Sequence, residues 1–122
     1  MHELHSPVQG TTFEIAPIAA EMRTESAYER EGHTARTLIR ETDLRVVLLA
    51  MKGGGIIKEH SANETASLQV LSGRVSVHMP NRSVDLSLGQ LLVLESELPH
   101  TVEATEESAL LLTLGWNAPP KP

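Results

Sequence analysis

Two histidines set the chemistry this sequence can do. His60-Ser61-Ala62 opens a segment that continues through Glu64, Ala66 and Leu68 to Val70-Leu71-Ser72-Gly73, and His100 follows Pro99 in a second segment that begins at Gly89. Imidazoles at neutral pH do two kinds of work: a neutral ring nitrogen ligates a metal, or the ring moves a proton. Two imidazoles alone hold a divalent metal weakly, so a strong centre needs a further ligand from His78, Glu64 or Gln69. Side chains alternate along a strand. His78 shares parity with Arg74 and Ser76, opposite the apolar set Val75, Val77 and Met79, and therefore points outward. Gln69 falls on the outward parity too, opposite Ala66, Leu68 and Val70. His60 and Ala62, by contrast, share one face. The inner surface at this level reads Ala62, Ala66, Leu68, small and apolar.

Other groups carry less. Gly53-Gly54-Gly55 lacks the Lys-Ser/Thr and the following helix of a phosphate cradle and predicts a turn. Glu64, Glu95 and Glu97 predict solvated carboxylates on loops at a rim. Met51 and Met79 predict core fillers. His2 and His5 have a metal-catching spacing, but in a terminal tail. Trp116 predicts packing across a barrel mouth or a dimer seam.

The elements that must position these residues are short. In 122 residues there is room for one domain, and 40% hydrophobic with 21% charged residues is an ordinary globular balance. The best helical candidate runs from Ala16 to Tyr28, with Pro17 in its first turn. Beyond Gly32, β-rich segments alternate with turn signals, predicting strands near Ala35–Arg40, Leu44–Lys52, Ile56–His60, Thr65–Leu71, Arg74–Met79, Ser83–Leu86, Gln90–Leu94, Thr101–Ala104 and Ala109–Leu114. Ser72-Gly73 predicts a tight hairpin. So many short strands must close on themselves to hide their edges, which predicts an all-β jelly-roll barrel with a short N-terminal helix. The predicted layout is a tail over 1–15, one barrel domain over 16–116 and a second tail over 117–122.

The two histidine segments resemble the two motifs of the cupin superfamily, in particular small single-domain bacterial cupins of the RmlC-like kind. The likeness extends over roughly residues 35–115. The first family motif places His-x-His, then Glu, ahead of a Gly; aligned on Gly73, its His positions fall on His60 and Ala62 and its Glu position on Ala66. The second runs from a Gly through Pro-x-Gly to a His; aligned on Gly89, it brings its His to His100, with Glu95 and Glu97 where Pro and Gly stand in the family. The resemblance implies a double-stranded β-helix in which the ligand positions converge inside the barrel. Two of the four ligand positions are alanine here, which leaves a cavity, and apolar cavities accept apolar ligands. The ligand pocket that the resemblance implies is His60, Ala62, Ala66, Leu68, His100 and Val102, with His60 and His100 as the only metal candidates. The resemblance therefore implies a small-ligand-binding cupin with no cofactor, or one divalent transition metal held weakly by His60 and His100. The alternative is a dioxygenase- or isomerase-like enzyme using the same two residues.

Composition excludes several classes. The chain contains no cysteine, which removes disulfides and thiolate chemistry and suits a reducing cytoplasm. Net charge is −6 with scattered Lys and Arg, and Phe13, Tyr28 and Trp116 are the whole aromatic content. Nucleic acid needs a basic surface and stacking rings, and neither is present. The start, Met1-His2-Glu3-Leu4-His5, has no basic or apolar region of a signal peptide, and no apolar run spans a bilayer. The predicted setting is cytoplasmic. The predicted partners are a small molecule and a second copy of the chain, in a two-fold dimer covering open strand edges.

Overall fold

The computed structural model describes residues 10–60 and 63–115. Two short helices, α1 (Ile15–Met22) and α2 (Ser26–Glu31), precede nine strands: β1 (His33–Arg40), β2 (Leu44–Met51), β3 (Ile56–His60), β4 (Ala66–Ser72), β5 (Arg74–Met79), β6 (Arg82–Ser87), β7 (Leu91–Leu94), β8 (His100–Ala104) and β9 (Ser108–Gly115). The strands form two antiparallel sheets, in the orders β1-β2-β9-β4-β7 and β3-β8-β5-β6. Successive strands from β2 to β5 alternate between the sheets, as do β6 to β9, so the chain winds as a jelly roll with β1 added at one edge. Each predicted strand is present, with bounds shifted by at most two residues.

Strand alternation builds two apolar layers. Inward side chains, among them Met51, Leu68, Val70, Val75, Val77, Val102 and Leu110, fill the space between the sheets. The outer face of the five-stranded sheet is also apolar over β1, β2 and part of β9. Leu38, Leu48, Ala50 and Ala109 receive Ala19 and Met22 from α1 and Tyr28 from α2. Such two-sided burial is why β2 reads as the nearly unbroken apolar run Val46 to Met51.

Two expectations need correction. The helix predicted over Ala16–Tyr28 is two helices, interrupted at Arg23–Glu25. Met22 and Tyr28 are six residues apart and both buried; six steps of one straight helix turn two side chains about 120° from each other, so the break lets both reach the sheet. Ser72-Gly73 is not a hairpin: β4 and β5 lie in different sheets, and this turn carries the chain across the barrel. Gly73 there has φ +85°, and a methyl in its place would strike the Glu107 carbonyl and the Ser108 hydroxyl. The fully buried Ser108 Oγ accepts from the Arg74 N–H at 3.0 Å and donates to the Glu106 carbonyl at 2.7 Å, pinning this crossing to the one between β8 and β9. Local signals cannot separate a hairpin from a crossing, since both need a positive φ.

Candidate functional site

His100 begins β8, with its side chain in the barrel interior and only 7% of the residue exposed. The turn that delivers it is Glu95–Pro99. The Leu98 N–H closes this turn on the Glu95 carbonyl at 3.2 Å, and Glu97 has φ +64°. Among the described residues Glu97 is the only non-glycine in that left-handed region. The turn aims the Leu98 carbonyl at the histidine, which donates its Nδ1–H to that oxygen at 2.9 Å. That bond puts the proton of the neutral ring on Nδ1 and makes Nε2 its basic nitrogen.

Beside His100 is a cavity of about 80 Å³, walled by Leu49, Ile57, Leu68, Leu94, Val102 and Leu112. Each sheet supplies part of the wall, so the cavity sits between the two layers. At roughly 30 Å³ of liquid volume per water, it accommodates a group of a few heavy atoms. Among the described residues His100 is the one polar side chain of the lining. A wider cleft of about 240 Å³ lies close by, between the β5–β6 turn and β7, with Leu92 and Leu98 in its wall and Arg82 and Glu95 at its rim. Leu98 thus serves both: it lines the cleft, and its carbonyl orients His100.

Of the residues predicted for the pocket, Leu68, His100 and Val102 line the cavity. Ala66 is buried one inward position along β4 from Leu68, paired in register with Leu94 and Leu114. In the β3–β8 ladder the backbone of His60 is the register partner of His100. The His60 side chain and all of Ala62 lie outside the described residues, as do His2, His5, Trp116, positions 1–9 of the tail predicted over 1–15, and the tail predicted over 117–122. His78 is exposed on the outer face of the four-stranded sheet, bonded to Ser83 Oγ at 2.8 Å and Glu103 Oε1 at 3.2 Å. Glu95 and Glu97 are exposed. Sequence reasoning did not name Leu49, Ile57, Leu94 and Leu112; alternation gives each an inward face, but only the pairing of strands shows which inward residues meet His100.

Among the described residues no three His, Cys, Asp or Glu side chains cluster as a metal site would need. The walls supply one imidazole and otherwise hydrocarbon, so the described donor set does not fit a four-ligand transition-metal centre.

The order β2-β9-β4-β7 facing β3-β8-β5-β6, with His100 at the inner start of β8, is the double-stranded β-helix of the cupins, and this chain is a small cupin-fold domain. A cupin superfamily protein from Desulfitobacterium hafniense superposes with TM-score 0.72 at 13% identity, over 95% of this chain and 100% of its own. A conserved protein of unknown function from Streptococcus pyogenes gives 0.69 at 20% identity, over 100% of this chain and 98% of its own. The salicylate 1,2-dioxygenase of Pseudoaminobacter salicylatoxidans, also solved as adducts with gentisate, gives 0.76 at 18% identity; 94% of this chain matches 37% of that one. No family model matches the sequence, and no curated protein does. None of the described helices is long and apolar enough to cross a membrane.

Proposed function

We propose that this chain binds a small, largely apolar molecule carrying one hydrogen-bonding group, held inside the barrel against His100. The observation that supports it most is the lining of the cavity: among the described residues, six hydrocarbon side chains and one oriented imidazole. A pocket of this kind gains affinity from apolar contact and specificity from one polar contact. Its volume limits the enclosed part of the ligand to a few heavy atoms. The pocket set is His60, Ala62, Ala66, Leu68, His100 and Val102, in a metal-independent or weakly metal-binding domain acting in the cytoplasm as a homodimer.

A thermal-shift screen of small phenols and carboxylates tests this, with gentisate included because the dioxygenase neighbour is solved with it. A ligand that prefers the native state raises the melting temperature by mass action. The wild type should shift, and His100→Phe, which fills the cavity and removes the polar contact, should not. Equal shifts in both proteins would sink the proposal.

One observation favours a second reading. The β3–β8 register, in which the backbone of His60 pairs with that of His100, supports a role for both residues. In that reading they are the ligand pair, or the acid and base, of a metal-assisted or isomerase-like enzyme. Metal analysis of untagged protein tests the ligand-pair form of this reading: near-stoichiometric transition metal supports it, and trace metal overturns it.

A further inference from the structure

The outer face of the four-stranded sheet carries polar side chains in two rows set by register. His78 on β5 lies between Ser83 on β6 and Thr101 on β8, and Ser76 lies between Asp85 and Glu103. Ser76 donates its O–H to Asp85 Oδ1 at 2.6 Å. His78 is bonded on both sides of its ring, through Nδ1 to Ser83 Oγ at 2.8 Å and through Nε2 to Glu103 Oε1 at 3.2 Å.

The protons of this chain of bonds are fixed from its acidic end. An ionised carboxylate only accepts, so Nε2 of His78 carries the N–H that Glu103 receives. In the neutral ring Nδ1 is then the bare nitrogen, and the Ser83 hydroxyl donates to it. A hydroxyl held on a basic nitrogen, with a carboxylate steering the ring from beyond, is the arrangement of nucleophile, base and orienting acid used in serine acyl transfer. Here the two ring nitrogens are exchanged relative to the usual order, which changes the pose of the ring and keeps the direction of proton flow. Ser76 provides the contrast, since its hydroxyl bonds a carboxylate directly, a weaker base than imidazole.

We propose that Ser83, His78 and Glu103 form a second site that takes acyl groups from activated carboxylic esters. It is separate from His100, which lies on the inner side of β8 while Glu103 stands on the outer side. Ser83 Oγ bonds to the ester carbonyl carbon as its proton passes to His78 Nδ1. The bond from that carbon to the leaving oxygen then breaks, and Nδ1 returns the proton to it as the alcohol. Water activated by the same nitrogen releases the acid and restores Ser83. Glu103 is the positioning residue. β6 ends its sheet among the described residues, so alternate N–H groups along it have no strand partner and can donate to the oxyanion. Ser83 and His78 are exposed. The ester therefore arrives from open solvent, and its leaving group decides the rate.

Nitrophenyl acetate tests the site, with nitrophenol release followed by absorbance and the acetyl group located by mass spectrometry. Wild type should release nitrophenol in proportion to ester concentration and carry its acetyl group on Ser83. His78→Gln should slow acetylation of Ser83 by about a hundredfold, and Ser76→Ala should leave it unchanged. Ser83→Ala should reduce nitrophenol release to that of free imidazole at the same histidine concentration. Glu103→Gln should slow acetylation too, because an amide can donate to Nε2 and favour the tautomer with Nδ1 protonated. Ring-nitrogen NMR of His78 should show that change of tautomer, which a merely structural role would not produce. Acetyl groups found only on lysine, histidine or the amino terminus overturn the proposal, and so does equal acetylation of Ser83 in the His78→Gln variant. An unchanged tautomer in the Glu103→Gln variant overturns the role given to Glu103.

Discussion

Glu97 stands where the cupin motif has glycine, and its backbone has φ +64°. An L-residue in that region brings its Cβ against the neighbouring carbonyl, at roughly 1–2 kcal/mol. Glycine removes the clash but has more freedom to lose on folding, which returns about 0.4–1 kcal/mol. Replacing Glu97 by Gly should therefore stabilise the fold by about 0.5–1 kcal/mol, a rise in melting temperature of roughly 2–5 °C for a chain of this size. The side chain is exposed, so little else changes. Glu97→Ala keeps a Cβ and is the control, since it should give no comparable gain. Urea denaturation and thermal melts of the three proteins measure the difference. Equal gains from Gly and Ala would mean that the carboxylate, not the backbone, carries the effect. A loss with Gly would remove the strain argument and with it the structural support for aligning this turn on the second motif.

Three further outcomes are expected. Ala62→His with Ala66→Glu should raise affinity for a divalent transition metal by orders of magnitude, read by calorimetry on the folded variant; no gain would mean that the first motif is misaligned. Ser108→Ala should lower stability by about 1–3 kcal/mol, because the Arg74 N–H and the Glu106 carbonyl lose their buried hydroxyl partner; a loss well under about 1 kcal/mol in urea titrations would show that the crossings do not depend on this hydroxyl. Glu25 is held below the ordinary carboxylate range, first by the hydroxyl of Thr34 and then by the guanidinium of Arg36. A depressed carboxylate stabilises the fold above its unfolded value, about 4.3, and that contribution fades as pH falls through the lower folded value. Stability of Glu25→Gln should accordingly decline less than that of the wild type over this acid range, and matching pH profiles would refute the linkage.

How much of this was legible in the sequence follows from the range over which each feature is determined. Strand positions were legible because a run such as Arg74–Met79 announces itself through its own alternation and its flanking turns. The turn glycines were legible for the same reason: Gly73 and Gly89 both have positive φ, at +85° and +87°. What Gly73 connects was not. The conformation is local, but whether β5 folds back on β4 or crosses to the other sheet depends on β9, which claims the side of β4 that a hairpin would have used.

The site divides along the same line. Leu68 and Val102 were named because parity fixes an inward face from the strand's own sequence, and both line the cavity. Leu49, Ile57, Leu94 and Leu112 have equally clear parity, yet they come from four further strands whose convergence on His100 is a property of the jelly-roll order. Residues are thus assigned a face by local chemistry and assigned neighbours by topology. His100 needs both. The short turn Glu95–Pro99 sets its tautomer through the Leu98 carbonyl, while the apolar walls that make one imidazole chemically conspicuous are assembled from strands far away in the chain. Selectivity in such a pocket follows from that division, since substitutions in the distant walls change what fits and substitutions in the turn change how it is held.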